Sequence, residues 1–203
     1  MTGLDALEGV FEDARRLGFL GPDPVRRHID HARAWAGALA PAPFLDLGSG
    51  AGVPGLVFAL LWPDVRATLL DGQIKRTAWL RTAVVRLGLT DRVTVLEGRA
   101  EDLAHDPAWR ERFALIAARS FAAPAPTAEC ASGLLAVGGR LTVSEPPQSG
   151  PERWSVEGLE RLSMEMSREV VHEHGSFVIL TKGSALAEEF PRRRNLSVRS
   201  PLW

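Results

Sequence analysis

The sequence predicts an α/β fold: a mostly parallel seven-stranded sheet, helices on both faces, and an antiparallel hairpin near the C-terminus. Two observations predict it. Short apolar runs alternate with segments of helical apolar spacing between residues 44 and 143, the pattern of a sheet built from strand–helix units. The first run, Phe44-Leu45-Asp46-Leu47, leads into Gly48-Ser49-Gly50-Ala51-Gly52-Val53-Pro54-Gly55, with four glycines in eight positions. That order reads as buried strand, tight turn, helix start.

The elements follow in order. Residues 4–17 carry Leu7, Val10, Phe11, Ala14 and Leu17 at helical spacing until Gly21-Pro22-Asp23-Pro24 breaks the pattern. A second helix is predicted over residues 25–39, stopped by Pro41-Ala42-Pro43. Strands at 44–47, 67–70, 93–96, 115–118 and 140–143 then alternate with helices at 54–61, 75–87 and 125–135 and a short helical piece at 101–104. Residues 166–172 and 176–181 form the closing strand pair, with Gly175 at its turn. The predicted organisation is a helical extension over residues 1–43 and a ligand-binding domain over residues 44–203 that ends in a basic tail.

Composition narrows the function. A chain of 203 residues with no apolar run near the roughly 20 residues of a membrane span predicts one soluble domain. Met1-Thr2-Gly3-Leu4-Asp5 does not resemble a signal peptide, so a cytoplasmic protein is expected. Cys130 is the only cysteine, which excludes an internal disulfide and a zinc site built on several cysteines; no metal is expected. A net charge of −1 excludes a uniformly basic nucleic-acid clamp. The cations are grouped, however: Lys75, Arg76, Arg81 and Arg86 in mid-chain, and Arg192, Arg193, Arg194 and Arg199 in the tail. Such groups suit either a solvated face and frayed tail or contact with RNA.

The glycine turn fits two templates. Residues 50–55 match the G-x-G-x-x-G dinucleotide loop, and residues 46–52 match the acidic-x-G-x-G-x-G loop of S-adenosylmethionine (SAM) methyltransferases. Asp46 favours the second, because a carboxylate suits the ammonium group of a methionine moiety and repels a pyrophosphate. Asp71, at the end of the second strand and before Gly72, suits ribose hydroxyls in either cofactor. Ala100 and Glu101 stand where backbone groups would meet an adenine edge. The candidate cofactor set is thus Asp46, Gly48, Ser49, Gly50, Gly52, Pro54, Gly55, Asp71, Gly72, Ala100, Glu101 and Arg119.

A series of motifs goes further. Gly48–Gly55 reads G-x-G-x-G-x-P-G; Leu69-Leu70-Asp71 is followed by Lys75-Arg76, Trp79 and Leu80; then come Arg99-Ala100-Glu101-Asp102, Arg119-Ser120-Phe121-Ala122, Pro191-Arg192-Arg193, and Arg199-Ser200-Pro201-Leu202, with Arg27-His28-Ile29-Asp30 upstream. In this order the chain resembles the bacterial 16S rRNA guanine-N7 methyltransferase family. The resemblance implies a Rossmann-like class I SAM-dependent methyltransferase fold and methyl transfer to guanine N7 in 16S rRNA or the small ribosomal subunit. It also places Arg119 beside SAM and the guanine as the catalytic side chain, and Lys75, Arg76, Arg192, Arg193 and Arg199 near RNA. The chain departs from the family pattern in its short N-terminus, at Ala118, and at Ser144-Glu145-Pro146-Pro147, where the family has a lysine–glycine pair. Methylation of a small molecule or another RNA, or a non-catalytic SAM-binding module, fits the same pocket.

Guanine N7 carries a lone pair and no proton, so its methylation calls for alignment rather than a general base or metal. The sequence agrees, with no Ser-His-Asp set or metal-spaced histidines.

Overall fold

The computed structural model describes residues 3–146, 149–193 and 195–203, so Pro147 and Arg194, named above, lie outside the described residues. Two helices, α1 (Gly3–Arg16) and α2 (Val25–Gly37), precede β1 (Phe44–Leu47). Strand–helix units follow: α3 (Gly55–Leu61), β2 (Ala67–Asp71), α4 (Ile74–Arg86), β3 (Val93–Glu97), α5 (Ala100–His105), β4 (Phe113–Ala118) and α6 (Pro124–Leu134). The chain closes with β5 (Leu135–Glu145), α7 (Val156–Arg161), β6 (Met164–His172), β7 (Gly175–Lys182) and α8 (Leu196–Arg199).

One seven-stranded sheet has the order β3-β2-β1-β4-β5-β7-β6. Strands β1 to β5 are parallel, and β7 runs antiparallel to both β5 and β6. β1 is central and wholly buried, and its side chains alternate between faces. Phe44 joins the apolar cluster beneath α1 to α4, whose largest members include Trp35, Phe11 and Phe58. Leu45 and Leu47 join the opposite cluster, beneath α5, α6 and α7. The indole of Trp35 donates to Thr142 Oγ1 at 2.7 Å, tying α2 to β5.

The predicted strands and main helices are present, with three differences. β5 begins at Leu135, five residues before its predicted start, and runs through Gly138-Gly139 with a register shift against β4. The turn of the hairpin is Glu173-His174, and Gly175 opens β7. Helices α7 and α8, too short to show a helical period, were not predicted. The tail is not frayed: Arg192 donates to the fully buried Glu129 of α6 through its backbone N–H (2.7 Å), Nε (2.9 Å) and NH2 (2.7 Å). His105 and Arg110 bind the carbonyls of Pro191 and Phe190 at 2.7 and 2.9 Å.

Candidate active site

Five parallel strands end on one side of the sheet, the edge at which open α/β sheets take ligands. The turn after β1 is built on left-handed backbone at Gly48, Gly50 and Gly52 (φ +72°, +54° and +89°), a conformation that disfavours side chains. Its amides are held inward: Ser49 N–H donates to the Leu70 carbonyl (2.8 Å), and Gly50 N–H to Asp71 Oδ2 (2.9 Å). Pro54 precedes α3 and Gly55 opens it. A Cβ on Gly55 would run into the Asp46 carboxylate and Leu69.

Asp46 lies beneath this turn, on the Phe44 face of β1 and 1% exposed, where Oδ2 accepts from Gly55 N–H at 3.0 Å. Burial pushes its carboxyl up to about 7, against the hydrogen bonds from Ser49 and Gly55 that favour the anion. Asp71, one strand over, accepts from Gly50 and from Gln73 N–H (2.8 Å), and Arg76 stands 3.8 Å away.

Two cavities adjoin at this edge and share Phe121 and Ala122 as a common wall. The smaller, about 180 Å³, is lined by Gly48, Asp71, Gly72, Ala100, Glu101 and Ser197, among others. A Cβ on Gly48 would meet the Phe121 ring at 2.6 Å, so this glycine lets the two walls approach. Glu101 is buried and faces Arg99 at 3.4 Å.

The larger cavity, about 600 Å³, is lined by Arg119, His28, His31, Ser144 and His174, among others. Arg119 donates to His28 Nδ1 at 2.7 Å, which leaves the imidazole proton on Nε2. Among the described residues Arg119 has no carboxylate within ion-pair distance. Burial lowers its pKa, while Asp46 and Asp23 work against that shift. His31 donates from Nδ1 to the His174 carbonyl (2.6 Å) and accepts from Ser144 at Nε2 (2.9 Å). Burial lowers the pKa of both histidines, favouring neutral rings.

The structure brings Gly48, Asp71, Gly72, Ala100 and Glu101 to one cavity and Arg119 to the other. Asp46, Ser49, Gly50, Gly52, Pro54 and Gly55 form the turn and its support rather than either lining. Lys75, Arg193 and Arg199 are exposed, whereas Arg76 turns toward Asp71 and Arg192 is bound to Glu129. Arg81 and Arg86 face Glu97 and Asp13. Glu145, in the segment that departs from the family pattern, is buried and accepts from Arg153, Trp154 and Ser149. Its charge is therefore opposed by an arginine rather than facing the cavity unpaired. Sequence reasoning missed Ser197 and His31, and it gave Phe121 no role.

This sheet order, with a glycine turn after the central strand and an acidic residue ending the next, defines a SAM-dependent methyltransferase of the class I fold. Solved structures share it: a putative O-methyltransferase from Klebsiella pneumoniae (TM-score 0.59, 20% identity, 88% of this chain and 90% of that one) and an O-methyltransferase from Bacillus cereus in complex with SAH (0.58, 19%, 87% and 90%). The model of the family rRNA small subunit methyltransferase G (GidB) matches residues 25–149. A protein of that name from Symbiobacterium thermophilum is 34% identical over 197 residues, covering 89% of this chain and 80% of its own. Another, from Chloroflexus aggregans, is 35% identical over 188 residues, covering 88% and 78%. The chain belongs to this methyltransferase family, and its cofactor is SAM.

Proposed function

We propose that this protein methylates N7 of a guanine in 16S rRNA, with the adenosyl group of SAM in the smaller cavity and the base in the larger. The observation that supports this reading is that the two cavities have Phe121 and Ala122 in common in their linings, so that a base in one would lie next to a cofactor in the other.

The residues of the smaller cavity suit the cofactor. Asp71 uses two of about four lone-pair sites on Gly50 and Gln73, leaving acceptors for ribose hydroxyls. Bound there, SAM supplies an electrophilic methyl group on sulfur: the S–CH3 bond breaks with its electrons passing to sulfur, while the N7 lone pair forms the new bond. Positive charge thereby moves from sulfur to the guanine ring. His28 and His31 favour that transfer by staying neutral, since imidazolium groups would repel the product. Arg119 keeps N–H donors free for the methionine carboxylate or guanine O6. No residue has to remove a proton from N7, so positioning carries the rate, a contribution of roughly 7–11 kcal/mol in favourable cases. Lys75, Arg193 and Arg199, exposed and outside the cavities, are the proposed phosphate contacts.

Incubation with methyl-labelled SAM and small ribosomal subunits lacking the modification, followed by nucleoside analysis, tests this. Label is expected in 7-methylguanosine. Label in another nucleoside, or none in RNA, would sink the reading.

A further inference from the structure

The C-terminal tail forms one side of the smaller cavity. Its course is fixed twice: Arg192 binds Glu129, and Asn195, in a left-handed turn at φ +66°, accepts from Arg99 NH2 at 3.1 Å. Arg99 also faces Glu101, so the tail is tied to the Arg99–Glu101 segment, which lines the same cavity. Directly after the second tie, α8 lays Ser197 and Val198 against the cavity.

Ser197 is fully buried, and its hydroxyl finds no hydrogen-bond partner among the described residues. The Cys130 sulfur lies beside it, but sulfur is a weak acceptor and no bond of ordinary geometry forms. A buried hydroxyl left this way costs free energy unless a ligand satisfies it. The wall that holds it belongs to the cavity that also contains Asp71, Ala100 and Glu101.

We propose that the Ser197 hydroxyl donates a hydrogen bond to a ring nitrogen of the adenine of SAM, making the C-terminal tail a specificity element of the cofactor site. This rests on the smaller cavity being the adenosyl site. Adenine offers N1, N3 and N7 as acceptors, and each is removed by replacing that nitrogen with C–H.

The test is calorimetric titration of S-adenosylhomocysteine and its 1-, 3- and 7-deaza-adenosyl analogues into the wild type, Ser197→Ala and Asp71→Ala, with circular dichroism and thermal melts confirming folding. Ser197→Ala is expected to bind S-adenosylhomocysteine about three- to tenfold more weakly, the worth of one hydrogen bond. It should match the wild type with one deaza analogue, the one lacking the acceptor. Unchanged binding of S-adenosylhomocysteine by Ser197→Ala, or equal weakening toward all four ligands, overturns the assignment. Asp71→Ala separates the two levels. If it binds as the wild type does, the cavity is not the adenosyl site and both readings fall. If it binds more weakly while Ser197→Ala does not, the tail assignment alone falls.

Discussion

Asp46 is held where its charge is penalised. Its carboxyl titrates near 7 in the folded chain against roughly 3.9 when unfolded, so between those values the folded state holds a proton that the unfolded state has released. Its contribution to stability is greatest below about pH 4, falls as pH rises to about 7, and is then lost. Asp46→Asn keeps an acceptor for Gly55 without titrating. The stability of this variant relative to the wild type should therefore rise by a few kcal/mol from pH 4 to pH 8, measured as denaturant midpoints. A constant difference would refute the burial argument. Asp46 and Asp71 show what the sequence made legible at this scale. Both could be read as carboxylates at strand ends, because a glycine turn after an apolar run is a local pattern. That one lies beneath the turn and the other borders a cavity depends on α3 and β3. Ser197 and His31 carried no local signal, since most residues that line the smaller cavity with Ser197, and the His174 and Ser144 groups that bind His31, lie far along the chain.

Among the elements, the tail departs most from its reading in the sequence. A run of arginines looks like a solvated arm, yet Arg192 is part of the packing of α6 while Arg193 points outward. Neighbours in sequence therefore have different roles. Arg192→Ala leaves Glu129 buried without its partner and is expected to cost about 3 kcal/mol. Because the tail borders the smaller cavity, proposed to hold the adenosyl group, that variant should also lose affinity for S-adenosylhomocysteine. Arg193→Ala should stay within about 0.5 kcal/mol of the wild type and bind the ligand equally. Thermal melts with and without ligand check both; equal behaviour of the two variants would contradict the packing seen here. The long parallel strands and α4 were legible because each satisfies its own periodicity, whereas α7 and α8 depend on tertiary contacts.

For the molecule as a whole, a net charge of −1 means that attraction to RNA must be local. Arg81, Arg86 and Arg192 are paired with carboxylates, leaving Lys75, Arg193 and Arg199 as the exposed candidates. Three phosphate contacts to single-stranded RNA correspond to a slope of about −2 in log affinity against log salt. Arg193→Ala should reduce that slope by about 0.7 with little effect on the folded state; filter-binding titrations across salt concentrations measure it. An unaltered slope would remove Arg193 from the interface. The fold class was legible at this scale because strand–helix alternation is a property of the entire chain. The two-cavity arrangement was not, because the turn of β6–β7 and the helix α2 complete the larger cavity only after the sheet assembles.

The position of β7 between β5 and β6 also governs how the chain reaches its final form. β6 is made first but has no place in the sheet until β7 has paired with it. The two are adjacent in sequence and can close as a hairpin within roughly 1–10 μs, then dock together. Until they do, the eleven-residue β5 presents an open edge to other chains, the kind of surface that seeds intermolecular pairing. The hairpin that helps wall the larger cavity in the finished enzyme is therefore also what shields the nascent sheet from aggregation.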